Sequence, residues 1–460
     1  MKPLGIKAMP APLSFLSLIG PSFVLLGLGL GSGELILWPY LVANWGLGII
    51  WGAVLGIAFQ FFLNMEVERY ALVNGESVFV GLARKIGMMA PVWFLISTLL
   101  PWMWPGIITS SAGIIGQTLG ISEPRYIAIG LLLLIGVILT LGPVLYKTVE
   151  RLQKILILIG VPFIFLLVFV LADRTDWQAL VSGLAGIGRG YQFLPEGIAL
   201  SSFLAAFAYS GAGGNLNLAQ AFYVKEKGYG MGKYSGRITS LLTGKAEAVS
   251  LEGNTFDVNQ SNLVVYRHWW KLVNIEHFIV FAVTGAATIL LLSLLSFVTV
   301  FGQPDLTRGI SFLFVESAEI SARLSGGVGM LFLVVVAVML FATQLTVLDA
   351  TSRIMAENIA ILLHRHFPIT HLAKYFYAVL WLQILAGIII LLAGFSEPLS
   401  LLTTGAILNA AAMFVSVGLV VWLNLTSLHH HLRPSLFRLI FLGFAFLFFG
   451  AFLIFTFYSR

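Results

Sequence analysis

Apolar residues in this chain run in long unbroken blocks. They show neither the two-residue alternation of half-buried strands nor the narrow stripe of a surface helix. Blocks of about 18 residues or more recur from end to end, each long enough to cross a ~30 Å hydrocarbon core as a helix. Inside lipid, backbone polar groups must be satisfied within the segment or by close neighbours, which leaves helices or closed barrels. Alternating strand-like segments are absent, so the pattern predicts an all-α integral membrane protein of about 11 transmembrane helices. The spans fall at 13–45, 48–72, 91–119, 126–145, 151–172, 199–223, 276–301, 328–352, 376–394, 399–424 and 436–457.

Composition agrees: 59% of the 460 residues are hydrophobic and 10% are charged, against about 25% charged in a soluble domain. The absence of cysteine excludes disulfides, thiolate metal sites and thiol catalysis. Polar residues 1–12 precede the first block without a small-residue cleavage site, so helix one reads as retained. Of the 26 Lys and Arg residues, 20 fall on the N-terminal side of the predicted topology and six on the other. By the positive-inside rule the N-terminus is cytosolic and the C-terminus outside. The expected location is a prokaryotic plasma (inner) membrane. One polar segment, the cytosolic loop 225–271, is too short for a catalytic domain. Its glycines miss the phosphate-loop pattern, because Lys233 precedes Tyr234 and Lys245 precedes Ala246. No other ATPase signature, serine–histidine–carboxylate set or zinc-protease motif is present, so no enzyme and no cofactor is expected.

Two spans look interrupted. The first, 13–45, is too long for one straight crossing, at ~50 Å for 33 residues. Its middle holds Gly27, Gly29, Gly31 and Gly33, with Ser32 and Glu34. Interior glycines each cost a helix up to ~1 kcal/mol relative to alanine, and a carboxyl at mid-depth needs a cavity or partner. Span six repeats the theme, with Gly211, Gly213 and Gly214 between Ser210 and Asn215. Such glycines also serve close helix packing. Paired breaks in corresponding halves nonetheless point to a transporter binding site. The expected organisation is one transmembrane domain: repeat one over 13–172, an inverted repeat two over 199–424, and an extra helix at 436–457.

These residues carry a family likeness. Gly20-Pro21 is followed, eleven residues after the glycine, by Gly31-Ser32-Gly33-Glu34. The register continues through Gly46 and Trp51, and span six reads Ala212-Gly213-Gly214-Asn215-Leu216. Gln344 lies in span eight and Asn409 in span ten. In these features the chain resembles a divergent member of the Nramp family of divalent-metal transporters, whose first helix carries Asp-Pro-Gly-Asn and whose sixth carries Met-Pro-His before Asn-Leu. The resemblance implies the LeuT fold, a 5+5 inverted repeat with discontinuous helices one and six. It implies secondary transport of a cation, a divalent metal such as Mg²⁺ or Mn²⁺, by alternating access. The family's aspartate, asparagine and methionine ligands correspond here to Gly31, Glu34 and Ala212. Its proton-route acids in span three correspond to Ser110 and Gly113, and its span-six histidine to Gly214. The site is therefore unlike the family's metal site and centres on Glu34, the one candidate metal ligand. The expected binding set is Gly31, Ser32, Glu34, Ser210, Gly211, Ala212, Asn215, Gln344 and Asn409. Oxygen donors of this kind suit a hard cation. The same half-helix ends also suit a small organic solute, an amino acid or amine coupled to Na⁺ or H⁺, with Glu34 meeting the amine or a proton. The partners expected are that ion or solute and the lipid bilayer, with no nucleic acid.

Asp349 and Arg353, one helical turn apart, read either as a gate or as an ion pair at the cytosolic interface. Glu66, Glu68 and Arg69 read as interfacial anchors, and Trp102, Trp104 and Pro105 as aromatic belt or vestibule lining. His429, His430 and His431 fall in a cytosolic loop, and Glu316 and Glu319 on a short outer surface helix, where solvated charge is the default.

Overall fold

The computed structural model describes residues 3–141, 145–235, 251–303, 309–363 and 372–458. Several charges that entered the topology count, Lys2, Arg237, Lys245, Arg308, Arg365 and Arg460, lie outside the described residues. Within them, ten helices are long and apolar enough to cross a membrane, among them helix two (Leu47–Asn74), helix four (Pro124–Leu141) and helix five (Val149–Leu171). The remaining span, helix six, is split into pieces too short to cross alone.

Helix one runs from Pro21 to Trp45 without a gap, and its first turn holds Pro21, where a missing N–H costs nothing. The interruption lies where the glycines put it, but its form differs from the unwound stretch expected. Leu30–Leu37 is a π-helical segment between Pro21–Gly29 and Trp38–Trp45. Widened π-type turns satisfy the backbone through i→i+5 bonds, so glycines and Glu34 fit at mid-depth without exposing polar backbone to lipid. Helix six is fully interrupted. It comprises Leu200–Ala208, a non-helical turn at 209–213, a 3₁₀ segment Gly214–Ala219 and a last helix Gln220–Lys227. Gly213 and Gly214 take φ of 77° and 53°, values that a side chain resists.

Helix three also breaks, into Met89–Trp102 and Gly106–Leu119, because Pro101 and Pro105 each remove a backbone donor. Helix seven starts earlier than the sequence pattern placed it. Gln260–His277 buries Leu263, Tyr266, Trp269, Val273 and Glu276 at helical spacing, then passes through a π-helical stretch into Thr284–Thr299. Part of the loop expected at 225–271 is therefore helix. The polar N-terminal tail is tied to the rest of that loop by a two-residue parallel pairing, Gly5–Ile6 with Asn254–Thr255. Helix eight, Gly326–Leu363, packs on both segments of helix three and on the π-helical part of helix one. Helices ten and eleven, Pro398–Ser427 and Leu436–Tyr458, pack on one another and on the first part of helix six.

Candidate functional site

Helices one and six cross at van der Waals contact, and glycine makes the crossing possible. A Cβ on Gly29 would come within 2.7 Å of the Gly211 backbone. A Cβ on Gly33 would overlap the Tyr209 carbonyl oxygen. Gly31 faces helix eight, where a Cβ would lie 2.6 Å from Thr343. Three glycines at alternate positions thus seat one wall of helix one against the break in helix six and against helix eight.

Glu34 points elsewhere. Its Oε1 lies 3.7 Å from where a Cβ on Gly285 of helix seven would be, and Ile57 of helix two and Leu26 surround the same point. The side chain is fully buried, and neither carboxylate oxygen has a hydrogen-bond partner. Ser32 is likewise buried with its hydroxyl unpartnered. An ionised carboxylate in such surroundings is very costly. Glu34 must hold a proton or meet a cation.

The other expected site residues divide among neighbouring helices. Ser210 accepts a 2.9 Å bond from the Trp38 indole and donates to the Ala206 carbonyl, so its hydroxyl is occupied. Asn215 donates to Ser97 and Thr98 of helix three at 2.7 and 3.0 Å and accepts from Ser416 of helix ten. Asn409 donates to the Tyr209 hydroxyl at 2.9 Å, and its own oxygen stays unpartnered beside Gly214. Ala212 is buried within the break, and Gln344 is buried with its oxygen unpartnered. The structure thus sets Gly31 against Thr343, Gly211 against Gly29 and Asn409 against Tyr209, and turns Glu34 toward helix seven. Among the described residues, no three His, Cys, Asp or Glu side chains converge as metal ligands.

Four residues at this crossing went unread in the sequence. Gln60 of helix two donates to the Ala208 carbonyl at 3.2 Å and accepts from the Gly213 N–H at 3.0 Å, replacing helix bonds that the break removes. Gln153 of helix five donates to the Ala342 carbonyl and to Thr346, and fills the space that Gly27 leaves. Thr343 donates to the Gly27 carbonyl at 3.1 Å. Tyr209 stacks on Trp102 at 5.3 Å, which carries the break of helix three to the break of helix six. On the side opposite the N-terminus, a cavity of about 460 Å³ opens between helix three, Arg125, Ser311 and Pro398.

The N-terminal end of helix one is closed by polar ties. Ser22 bonds Glu276 and His277 of helix seven, Lys154 of helix five donates to the Ile19 carbonyl at 2.8 Å, and the Tyr229 hydroxyl donates to the Leu18 carbonyl. Asp349 and Arg353 are both buried. Arg353 Nε lies 2.9 Å from both Asp349 oxygens, and its Nη1 reaches Glu226 at the end of helix six. Glu66, Glu68 and Arg69 are also buried. Glu66 pairs with Arg69 at 2.7 Å and with Arg438 of helix eleven, while Arg69 lies over the Trp270 ring at 3.9 Å. His429, His430 and His431 cluster on the surface.

Glu319 pairs with Arg323 as a surface charge does. Glu316 is buried in the outer helix Ser311–Arg323, and burial pushes its carboxyl well above the usual glutamate range. Below the ordinary glutamate pKa both folded and unfolded chains keep the proton, and stability is full. As pH rises, the unfolded chain releases a proton that the folded chain retains, so stability falls until the raised native value is passed. Glu316→Gln removes that loss. It is expected to melt above the wild type near about pH 8 and no higher near about pH 4 in thermal-shift assays.

No protein-family model matches the chain, and no curated protein matches it. Solved structures do. A variant of the Eremococcus coleocola manganese transporter superimposes with a TM-score of 0.72 at 12% identity, covering 98% of this chain and 89% of that one. Mhp1, a nucleobase-cation-symport-1 family transporter with bromovinylhydantoin bound, gives 0.57 at 11% identity over 99% and 96%. MhsT in complex with L-phenylalanine gives 0.51 at 14% identity over 95% and 98%. The superposition spans nearly the whole length of each partner, and on that ground the chain has the LeuT fold, with the manganese transporter the nearest in shape of these three.

Proposed function

We propose that this protein is a secondary active transporter that moves a cation by alternating access, with Glu34 as its central ionisable group. The observation that carries the reading is the partnerless, fully buried Glu34 carboxylate beside a glycine-seated crossing of helices one and six. A lone carboxylate at membrane depth marks an ion or proton pathway by default. The N-terminal face is the cytosolic one, in a prokaryotic plasma membrane. The ties of Ser22, Lys154 and Tyr229 to helix one then close the cytosolic side, and opening requires them to part.

Mg²⁺ and Mn²⁺ are the first cargoes to test, because the solved structure of highest similarity listed above is a manganese transporter. Glu34 alone is a thin ligand set for a dication, and carbonyls freed by the helix-six break near Gly211 would complete it once Glu34 turns toward that break. A second reading has its own observation. Tyr209, Trp102 and the free Asn409 oxygen form an aromatic, hydrogen-bonding wall beside the helix-six break, which suits an amino acid or amine. Purified protein in proteoliposomes is to be assayed for uptake of Mg²⁺, Mn²⁺ and Ca²⁺, and of an amino-acid and amine panel with and without Na⁺. Glu34→Gln is expected to cut uptake of the true cargo by roughly 100-fold, the loss of several kcal/mol of charge interaction. Full activity in that variant would sink the central role of Glu34. Saturable stabilisation by an organic solute, with no divalent flux, would move the assignment to the second reading.

A further inference from the structure

Helix two carries a polar stripe that the crossing of helices one and six does not absorb. Gln60, Asn64 and Glu68 recur every four residues, about one turn, and all three are fully buried. Gln60 is engaged with helix six, as described. Neither polar atom of the Asn64 side chain has a partner. Glu68 accepts from Gln220 at 3.1 Å through one oxygen, and its other oxygen is unpartnered.

Helix seven faces this stripe with a second set of groups. Ser22 Oγ lies 2.5 Å from Glu276 Oε2 and 2.8 Å from His277 Nδ1. The His277 ring stacks against Phe61 of helix two at 5.6 Å and against Phe281 at 4.8 Å. Phe281 and Gly285 follow His277 at four-residue steps, and Gly285 is the residue that Glu34 meets. Glu34 therefore meets helix seven eight residues beyond His277, across its π-helical stretch. Other charges also bear on the group. Glu276 faces Glu68 of helix two, Lys154 of helix five and Lys227 at the end of helix six, and His277 senses Arg438 of helix eleven. Lys154 and Lys227 both bond Glu150.

A serine hydroxyl has one hydrogen and bridges its two neighbours in one direction at a time. With Glu276 ionised, Ser22 donates to Oε2 and accepts the Nδ1 proton of a neutral His277. That leaves His277 Nε2 as a bare acceptor, and it is buried without a partner, as is Glu276 Oε1. The cluster thus has an open acceptor at the histidine end and an open oxygen at the carboxylate end.

We propose that Ser22, Glu276, His277 and Glu68 form a protonation station which, with Glu34, carries the coupling proton between mid-membrane and the N-terminal face. A proton released from Glu34 along the Asn64 stripe binds His277 Nε2. The Nδ1 proton then passes to Ser22 Oγ as the Ser22 proton passes to Glu276 Oε2. His277 returns to neutral with its proton on Nε2, Glu276 becomes neutral, and one proton has been gained. Both hydrogen bonds of Ser22 have reversed direction, so loading the station changes the tie that holds the end of helix one. Glu68 accepts the proton next and delivers it to the N-terminal face.

The inference rests on the transport reading above, so two independent measurements are needed. The first needs no cargo: infrared titration of the protonated-carboxyl stretching band in nanodiscs between about pH 5 and pH 9, a window open only to shifted carboxyls. The wild type is expected to show a titrating buried carboxyl that Glu276→Gln or Glu68→Gln removes and His277→Phe displaces. No difference among these proteins overturns the station, whatever the transport assays show. The second measures Mn²⁺ and amine flux in proteoliposomes with and without an imposed pH gradient. Glu276→Gln and Glu68→Gln are expected to lose roughly tenfold of the gradient-driven acceleration while keeping downhill exchange. Retention of the full pH response in both variants overturns the coupling role. If the wild type moves neither probe, the transport reading fails, and the infrared result still decides the station.

Discussion

Arg353→Leu should lower the stability of the protein by about 3–5 kcal/mol, the cost of removing one partner from a buried charge cluster. Arg353 is 1% exposed and touches two carboxylates, Asp349 on its own helix and Glu226 at the end of helix six. Its removal takes from both acids the cation that they bond, leaving Lys225 bearing on Glu226 and no cation on Asp349. The check is thermal unfolding in detergent. The single variant should melt far below the wild type, and adding Asp349→Leu and Glu226→Leu should recover much of the loss, because a well-packed apolar replacement of a buried ion cluster is often neutral or better. If the single variant melts with the wild type, the cluster does not hold helix six to helix eight. It ties the end of helix six to helix eight, as Ser22 ties helix one to helix seven.

The second large effect is expected at Gly33. An alanine methyl there would overlap the Tyr209 carbonyl oxygen, a backbone atom that cannot swing aside. Gly33→Ala should cost about 3 kcal/mol, the upper end of the usual overpacking range, and abolish uptake by unseating helix one from the break of helix six. Gly130→Ala is the control. Gly130 lies in helix four with nothing within 4 Å of its missing Cβ, so alanine there should stabilise by up to ~1 kcal/mol. Equal melting temperatures for the two alanine variants would rule out the steric account.

The fold was legible because lipid imposes a coarse code. Long apolar blocks give spans, and lysine and arginine mark their ends. The breaks were legible for a related reason, since Gly27 to Gly33 and Gly211 to Gly214 cluster where a helix interior disfavours glycine, and the same glycines seat the neighbouring helices. Partners were harder to read. Gln60, Gln153 and Thr343 are single polar residues in otherwise apolar helices, and nothing in the local sequence tells a stitch across helices from a tolerated polar residue. Glu226 sits in a run of charges, VKEK, that reads as a solvated loop, although helix six carries it inward to Arg353. The direction of Glu34 was hidden for a geometric reason. Projection onto an ideal α-helix assumes a fixed angle per residue, and a π-helical stretch changes that angle just where the question is asked.

That stretch has a mechanical consequence. Leu30–Leu37 holds more residues per turn than the α-helical segments on either side. It is wound-in slack, one that can migrate along the helix or be taken up by rewinding. Either event would rotate one part of the helix against the other, and rewinding would also lengthen the rod. Ser22 would turn away from Glu276, Gly29 would leave Gly211, and Glu34 would leave Gly285 of helix seven. Helix one is thus built as a screw, whose turning would move its one buried acid and free its N-terminal end in a single stroke.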